Sequence, residues 1–129
     1  MTDILVIDDD AVYGELTLER LESTRYSAVF HLGPFGSVNV IRQIQPKLVI
    51  LDINMPGLDG TRIIELIRKT RGLELTRVLF HSSLDQRQLE PLVREHGADA
   101  GLHKSASRNA FVDCVEALMR RPPRSSLPR

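Results

Sequence analysis

Five short apolar runs, each followed by a longer stretch with helical spacing, constrain this chain more than any other feature of its sequence. They fall at residues 4–7, 28–32, 48–51, 78–80 and 98–102, the second and the last being the weakest. Continuous runs of this length, rather than strict alternation, suit strands covered on both faces. Between and after them apolar residues recur at helical spacing. Ala11, Gly14, Leu18 and Leu21 share one face, then Val38, Ile41 and Ile44, then Ile63, Ile64 and Ile67. Leu89, Leu92 and Val93 mark a fourth helix, and Phe111, Val115 and Leu118 a fifth. Glycine and proline punctuate the joins at 33–34, 56–57, 72 and 97. Five such units in series predict an α/β fold: a doubly wound parallel sheet with helices on both faces.

A chain of 129 residues is the size of one domain. Residues 1–120 carry the whole pattern, and residues 121–129, RPPRSSLPR, are expected to form a disordered Pro/Arg-rich tail. Seventeen basic residues balance seventeen acidic ones, which gives no reason to expect nucleic acid or a membrane as a partner. The lone Cys114 cannot form an internal disulfide. With acidic residues at the very start no signal peptide is expected, and no apolar run reaches the ~20 residues of a membrane span. A cytoplasmic location is expected.

The polar residues fall where the strands end. Asp8, Asp9 and Asp10 follow the first run, Asp52 the third, Ser82 the fourth and Lys104 the fifth. In a parallel sheet all strand C-termini share one edge, and ligands bind there where the strand order reverses. With the order 2-1-3-4-5, Asp8, Asp9 and Asp52 come together at that reversal. Carboxylates so gathered repel one another unless a cation is shared, and an oxygen-only site suits Mg²⁺. Asp52 could then attack a phosphorylated donor to give an acyl phosphate, with Lys104 and Ser82 binding the phosphoryl oxygens. Taken singly, each element has a plainer reading as a helix cap, a turn or a solvated side chain. The conjunction at one sheet edge carries the functional reading. His31, His81, His96 and His103 lack metal-ligand spacing, and His81 is expected to face a helix from a strand.

The segments ILVIDDD, LVILDINMPGLDG, VLFHSS and GADAGLHKSAS resemble, in order and spacing, those of bacterial response-regulator receiver domains from residue 3 to about 119. The resemblance implies a flavodoxin-like five-stranded sheet of order 2-1-3-4-5 with five helices. It implies that Asp52 is the phosphoacceptor, that Asp8 and Asp9 hold Mg²⁺, and that the Asn54 backbone carbonyl is a further ligand. Ser82 resembles the switch hydroxyl and Lys104 the lysine partner, while Asp10 is better read as a helix cap. The implied donor is a histidine kinase or histidine phosphotransfer protein, and the output an unidentified protein, with a homodimer left open. Such a domain acts on itself at Asp52 rather than turning over a separate substrate.

The departures lie on the output side. Ser105 stands where a proline is frequent, so no cis peptide is expected after Lys104. Gly101 stands where an aromatic often rotates, and Pro91 is expected to interrupt the fourth helix. Lys104 itself is expected at an exposed edge. One rival is a haloacid-dehalogenase-like phosphatase, whose nucleophile motif Asp8-x-Asp10-x-Val12 resembles. That reading lacks a later acidic pair and leaves LDINMPGLDG unexplained. The other rival is a pseudo-receiver that docks without phosphorylation, against which the full set Asp8, Asp9, Asp52, Ser82 and Lys104 argues. With no further motif in the sequence, a stand-alone receiver signalling through protein contacts is expected.

Overall fold

The computed structural model describes residues 1–55 and 60–122. In chain order the elements are β1 (Ile4–Asp8), α1 (Ala11–Leu21), β2 (Ala28–Leu32), α2 (Ser37–Ile44), β3 (Leu48–Leu51), α3 (Gly60–Lys69), β4 (Arg77–Ser82), α4 (Gln86–His96), β5 (Ala100–His103) and α5 (Arg108–Arg120). The five strands form one parallel sheet of order β2-β1-β3-β4-β5, with Ile4 opposite both Ala28 and Leu48. The fold expected from the sequence is the fold observed. The turn expected at 56–57 and most of the expected tail lie outside the described residues.

Alternation along the strands divides the core in two. Leu5, Ile7, Val49, Leu51, Val78 and Phe80 face one way and pack with Ile41, Ile63, Ile64, Ile67 and Leu89 of α2, α3 and α4. Ile4, Val6, Leu48, Ile50 and Leu79 face the other way, onto Leu21, Phe111, Val115 and Leu118 of α1 and α5. Each side chain so buried stabilises by about 1.5–3 kcal/mol relative to exposure. Burial on both faces is why β1, β3 and β4 read as unbroken apolar runs. The edge strands β2 and β5 are only partly buried, which is why their runs are weak.

Caps fix the helix starts that border the sheet edge. The Asp10 carboxylate accepts from the N–H groups of Val12 and Tyr13 at 2.9 and 3.3 Å, the cap role expected for it. Asp85 and Gln88 form a reciprocal capping box at α4. Pro91 does not interrupt α4 as its sequence position suggests; the helix runs through it to His96. Pro91 is exposed, so the Arg87 carbonyl that receives no N–H from it can turn to water. The cis peptide among the described residues is Gly33–Pro34, and none follows Lys104.

Candidate functional site

Asp8 is the last residue of β1, and Asp52 comes directly after β3, on the neighbouring strand. Both are almost wholly buried, whereas Asp9 is partly exposed. One oxygen from each of Asp8, Asp9 and Asp52 lies within 4.8 Å of the others. Short bonds aim them. Asp8 Oδ1 accepts from the Asp10 N–H at 2.9 Å, and Asp52 Oδ1 accepts from the Asn54 N–H at 3.0 Å. Below Asp52, α3 starts so close that a Cβ on Gly60 would lie 2.3 Å from Ile53 Cα and 2.6 Å from the Asp52 carbonyl. Only glycine lets the helix begin directly beneath the aspartate's loop.

Lys104 closes the group from the β5 side. Its Nζ donates to Asp8 Oδ2 at 2.8 Å and to Asp52 Oδ2 at 3.2 Å, and its backbone N–H donates to the Ser82 carbonyl at 2.8 Å. The exposed edge expected for it is wrong: the side chain is only 9% accessible. The buried Asp8 and Asp52 draw the ammonium inward, and the Tyr13 ring of α1 lies over it, 4.5 Å from Nζ to the ring centroid. Asp9, Asn54, Tyr13, Ser83 and Lys104 line an open cleft of about 540 Å³ leading to Asp52.

Three carboxylates against one ammonium leave a deficit of positive charge. Burial pushes the Asp52 carboxyl up from 3.8 to about 6, and the Asp8 charge adds to the rise. The Asn54 N–H and Lys104 oppose it without winning. Burial alone would lower the Lys104 ammonium, but the bond to Asp8 and the charges of Asp52 and Asp8 outweigh it and raise it. The donor set is all hard oxygen, and a buried carboxylate poised to hold a proton gains from a cation in its place. The residues fit a divalent ion such as Mg²⁺.

Of the residues singled out in the sequence, Asp8, Asp9, Asp52, Asn54 and Lys104 are brought together here. Ser82 is adjacent but is not among the residues lining the cleft: it is fully buried, and its Oγ accepts from the Leu84 N–H at 3.1 Å, at the approach to α4. Ser83, which the sequence reading passed over, lines the cleft in its place. Two further residues were missed. His103 Nε2 lies 3.0 Å from the Ser83 carbonyl, which can only accept, so Nε2 carries the proton. Nδ1 then accepts from the Ser105 N–H and hydroxyl at 3.0 and 2.6 Å, tying the loop after β4 to the loop after β5. Tyr13 was the other. Its only sequence signal is a place three residues after the capping Asp10, on the first turn beside the carboxylates.

His81 faces a helix as expected, packed against the Phe111 ring at 5.5 Å between centroids, and its Nε2 is buried without a hydrogen-bond partner among the described residues. Burial, with the Lys104 charge next, pushes its imidazole down from 6.5 to about 4. At Gly101 a Cβ would lie 2.7 Å from Val93 Cγ2 and 2.9 Å from Leu89 Cγ. The aromatic slot is thus filled by α4 itself.

Residues 4–116 match the response regulator receiver domain family. The DNA-binding dual master transcriptional regulator RpaA of Synechocystis is 30% identical over 124 residues, 96% of this chain and 52% of that protein. The response regulator protein GraR of Staphylococcus aureus (strain JH9) is 32% identical over 119 residues, 92% of this chain and 51% of that protein. The chain therefore spans about half the length of these curated relatives. With RpaA described as DNA-binding, the expectation of no nucleic-acid partner finds no support among them. The chemotaxis response regulator CheY4 of Vibrio cholerae has the same fold, with a TM-score of 0.82 at 16% identity over 92% of this chain and 98% of that one. The signal receiver domain of a response regulator from Bermanella marisrubri gives 0.81 at 25% identity, over 93% and 100%. Among the described residues no helix is long and apolar enough to cross a membrane.

Proposed function

The chain belongs to the response regulator receiver domain family, and on that premise we propose that it is a phosphorylation switch with Asp52 as phosphoacceptor. The observation that carries the reading is the meeting of Asp8, Asp9 and Asp52 within 4.8 Å, with Lys104 bridging two of them. Asp8, Asp9, Asp52 and the Asn54 carbonyl would hold Mg²⁺, whose charge neutralises phosphoryl oxygens in transfer. An Asp52 oxygen attacks phosphorus on a histidine kinase or histidine phosphotransfer protein. The O–P bond forms as the N–P bond to the donor imidazole breaks, and the imidazole leaves with the electron pair. Lys104 holds a phosphoryl oxygen, and Ser82 turns its hydroxyl from the Leu84 N–H to another. That turn releases the approach to α4, so the output runs through the face of α4, β5 and α5 to a partner protein.

Gly101, with its slot filled by Val93 and Leu89, favours a second reading: a pseudo-receiver that docks without phosphate. One experiment separates the two. Incubated with acetyl phosphate and Mg²⁺, the chain should gain a base-labile phosphoryl adduct that mass spectrometry maps to Asp52. Equal labelling of Asp52→Asn, or none of the unaltered protein, would overturn the phosphoacceptor reading.

A further inference from the structure

Lys104 is held from three sides in this structure, and two of those sides are carboxylates that a loaded site also calls on. Its bonds to Asp8 and Asp52 use carboxylate oxygens that a divalent ion and the phosphoryl group also need. The third partner, the face of the Tyr13 ring, is indifferent to both. Arg20 over Phe111 at 5.9 Å and Arg25 over Tyr26 at 5.5 Å are longer contacts, and neither involves a residue of the cleft.

The backbone that carries the ring is held independently of the ligands. The Tyr13 N–H donates to the capping Asp10 carboxylate at 3.3 Å, and the Tyr13 carbonyl accepts from the Thr17 hydroxyl at 2.8 Å. Thr17 is itself buried. The first turn of α1 therefore anchors Tyr13 at the cleft, where it is 37% exposed and its ring lies over the Lys104 ammonium. Among the described residues the Tyr13 hydroxyl enters none of the hydrogen bonds of the site. What the ring offers Lys104 is its negative face, which attracts an ammonium most strongly where water is excluded.

We propose that Tyr13 is a positioning residue for Lys104 in the loaded state. Its ring keeps the ammonium at the cleft wall, over the phosphoryl oxygens, when the carboxylates are occupied. The proposal rests on Asp52 being the phosphoacceptor, and its test separates the two. Beryllofluoride with Mg²⁺, a stand-in for the phosphoryl group, is titrated by ¹⁹F NMR into the unaltered chain, Tyr13→Phe and Tyr13→Leu. Leucine fills space without a π face, so it should weaken apparent affinity about fivefold, while phenylalanine should rescue it to within about twofold. In the loaded unaltered protein, the Lys104 ε-methylene protons should keep an upfield ring-current shift, a readout that needs no variant to fold. No beryllofluoride binding by the unaltered protein would overturn the phosphoacceptor reading. Binding with Leu equal to Tyr, Phe as weak as Leu, or loss of the ring-current shift on loading would overturn the role of Tyr13 alone.

Discussion

The cleft at the ends of β1 and β3 and the face formed by α4, β5 and α5 are assembled on opposite terms. In the cleft, charged groups are held by short bonds and one ammonium is divided between two carboxylates. On the second face, contact is made by removing side chain: Gly101 lets Val93 and Leu89 come down onto β5, and His103 laces two loops through backbone and serine groups. The cleft keeps every residue type that resemblance to receivers implies, and the face departs at Pro91, Gly101 and Ser105. The difference has a physical source. Phosphoryl transfer needs a carboxylate, a cation site and an ammonium at fixed places, and no other side chains supply them. Transmission needs only that two loops move together, and many contacts can achieve that.

The sharpest way to break this contrast is to remove the shared charge. In metal-free protein, Lys104→Ala leaves two buried carboxylates without a counter-ion and should cost about 3 kcal/mol in denaturant unfolding. Added Mg²⁺ should return most of that loss. If Lys104→Ala is as stable as the unaltered protein in a chelator, the three carboxylates do not share charge as described.

A second effect, nearly as large, appears only when one of two opposed groups is removed. Asp52, raised from 3.8 to about 6, binds its proton more tightly folded than unfolded, so its contribution is lost as pH rises through about 6. His81, lowered from 6.5 to about 4, works the other way: its contribution is present above 6.5 and lost as pH falls toward 4. Between pH 4 and 6 the slopes oppose, and stability of the metal-free protein should be nearly flat. Asp52→Asn should then gain stability with rising pH, by about 2–3 kcal/mol across the window. His81→Leu should lose a similar amount over the same range. Parallel curves for the three proteins would mean that neither group is held as the structure places it.

The smallest expected effect is on the face of α4, β5 and α5. Gly101→Ala should cost about 2 kcal/mol, because its methyl meets Val93 and Leu89 at less than contact distance. Hydrogen exchange should quicken across residues 86–96, while labelling of Asp52 by acetyl phosphate stays at the unaltered rate. Slower labelling would show that the two regions are not separable.

What the sequence made legible follows the same division. A polar residue directly after a continuous apolar run places itself at a strand end, so Asp8, Asp52 and Lys104 could be put at one edge from spacing alone. The burial of Lys104 could not be read, because it depends on contacts from distant elements, Tyr13 reaching over from α1 ninety-one positions earlier among them. The His103 tie was hidden for the same reason: its partner Ser83 is twenty residues away. Ser82 was correctly put at the end of β4, but its hydroxyl accepts from the Leu84 N–H two residues on, a local turn contact that apolar spacing does not reveal. At β5 the run of residues 98–102 gave a strand two residues early, since a half-buried edge strand has no apolar boundary to mark its start.

The filled slot at Gly101 also sets an order on change. A side chain there needs room that Val93 and Leu89 now occupy, so shortening on α4 must come first and enlargement on β5 second. Taken in reverse, the first step forces the helix off the strand. Taken in that order, each intermediate keeps a packed sheet, at the cost of a temporary cavity. Descendants of this chain can therefore reach the aromatic arrangement by one route and not the other, and their history would be written in which of α4 and β5 changed first.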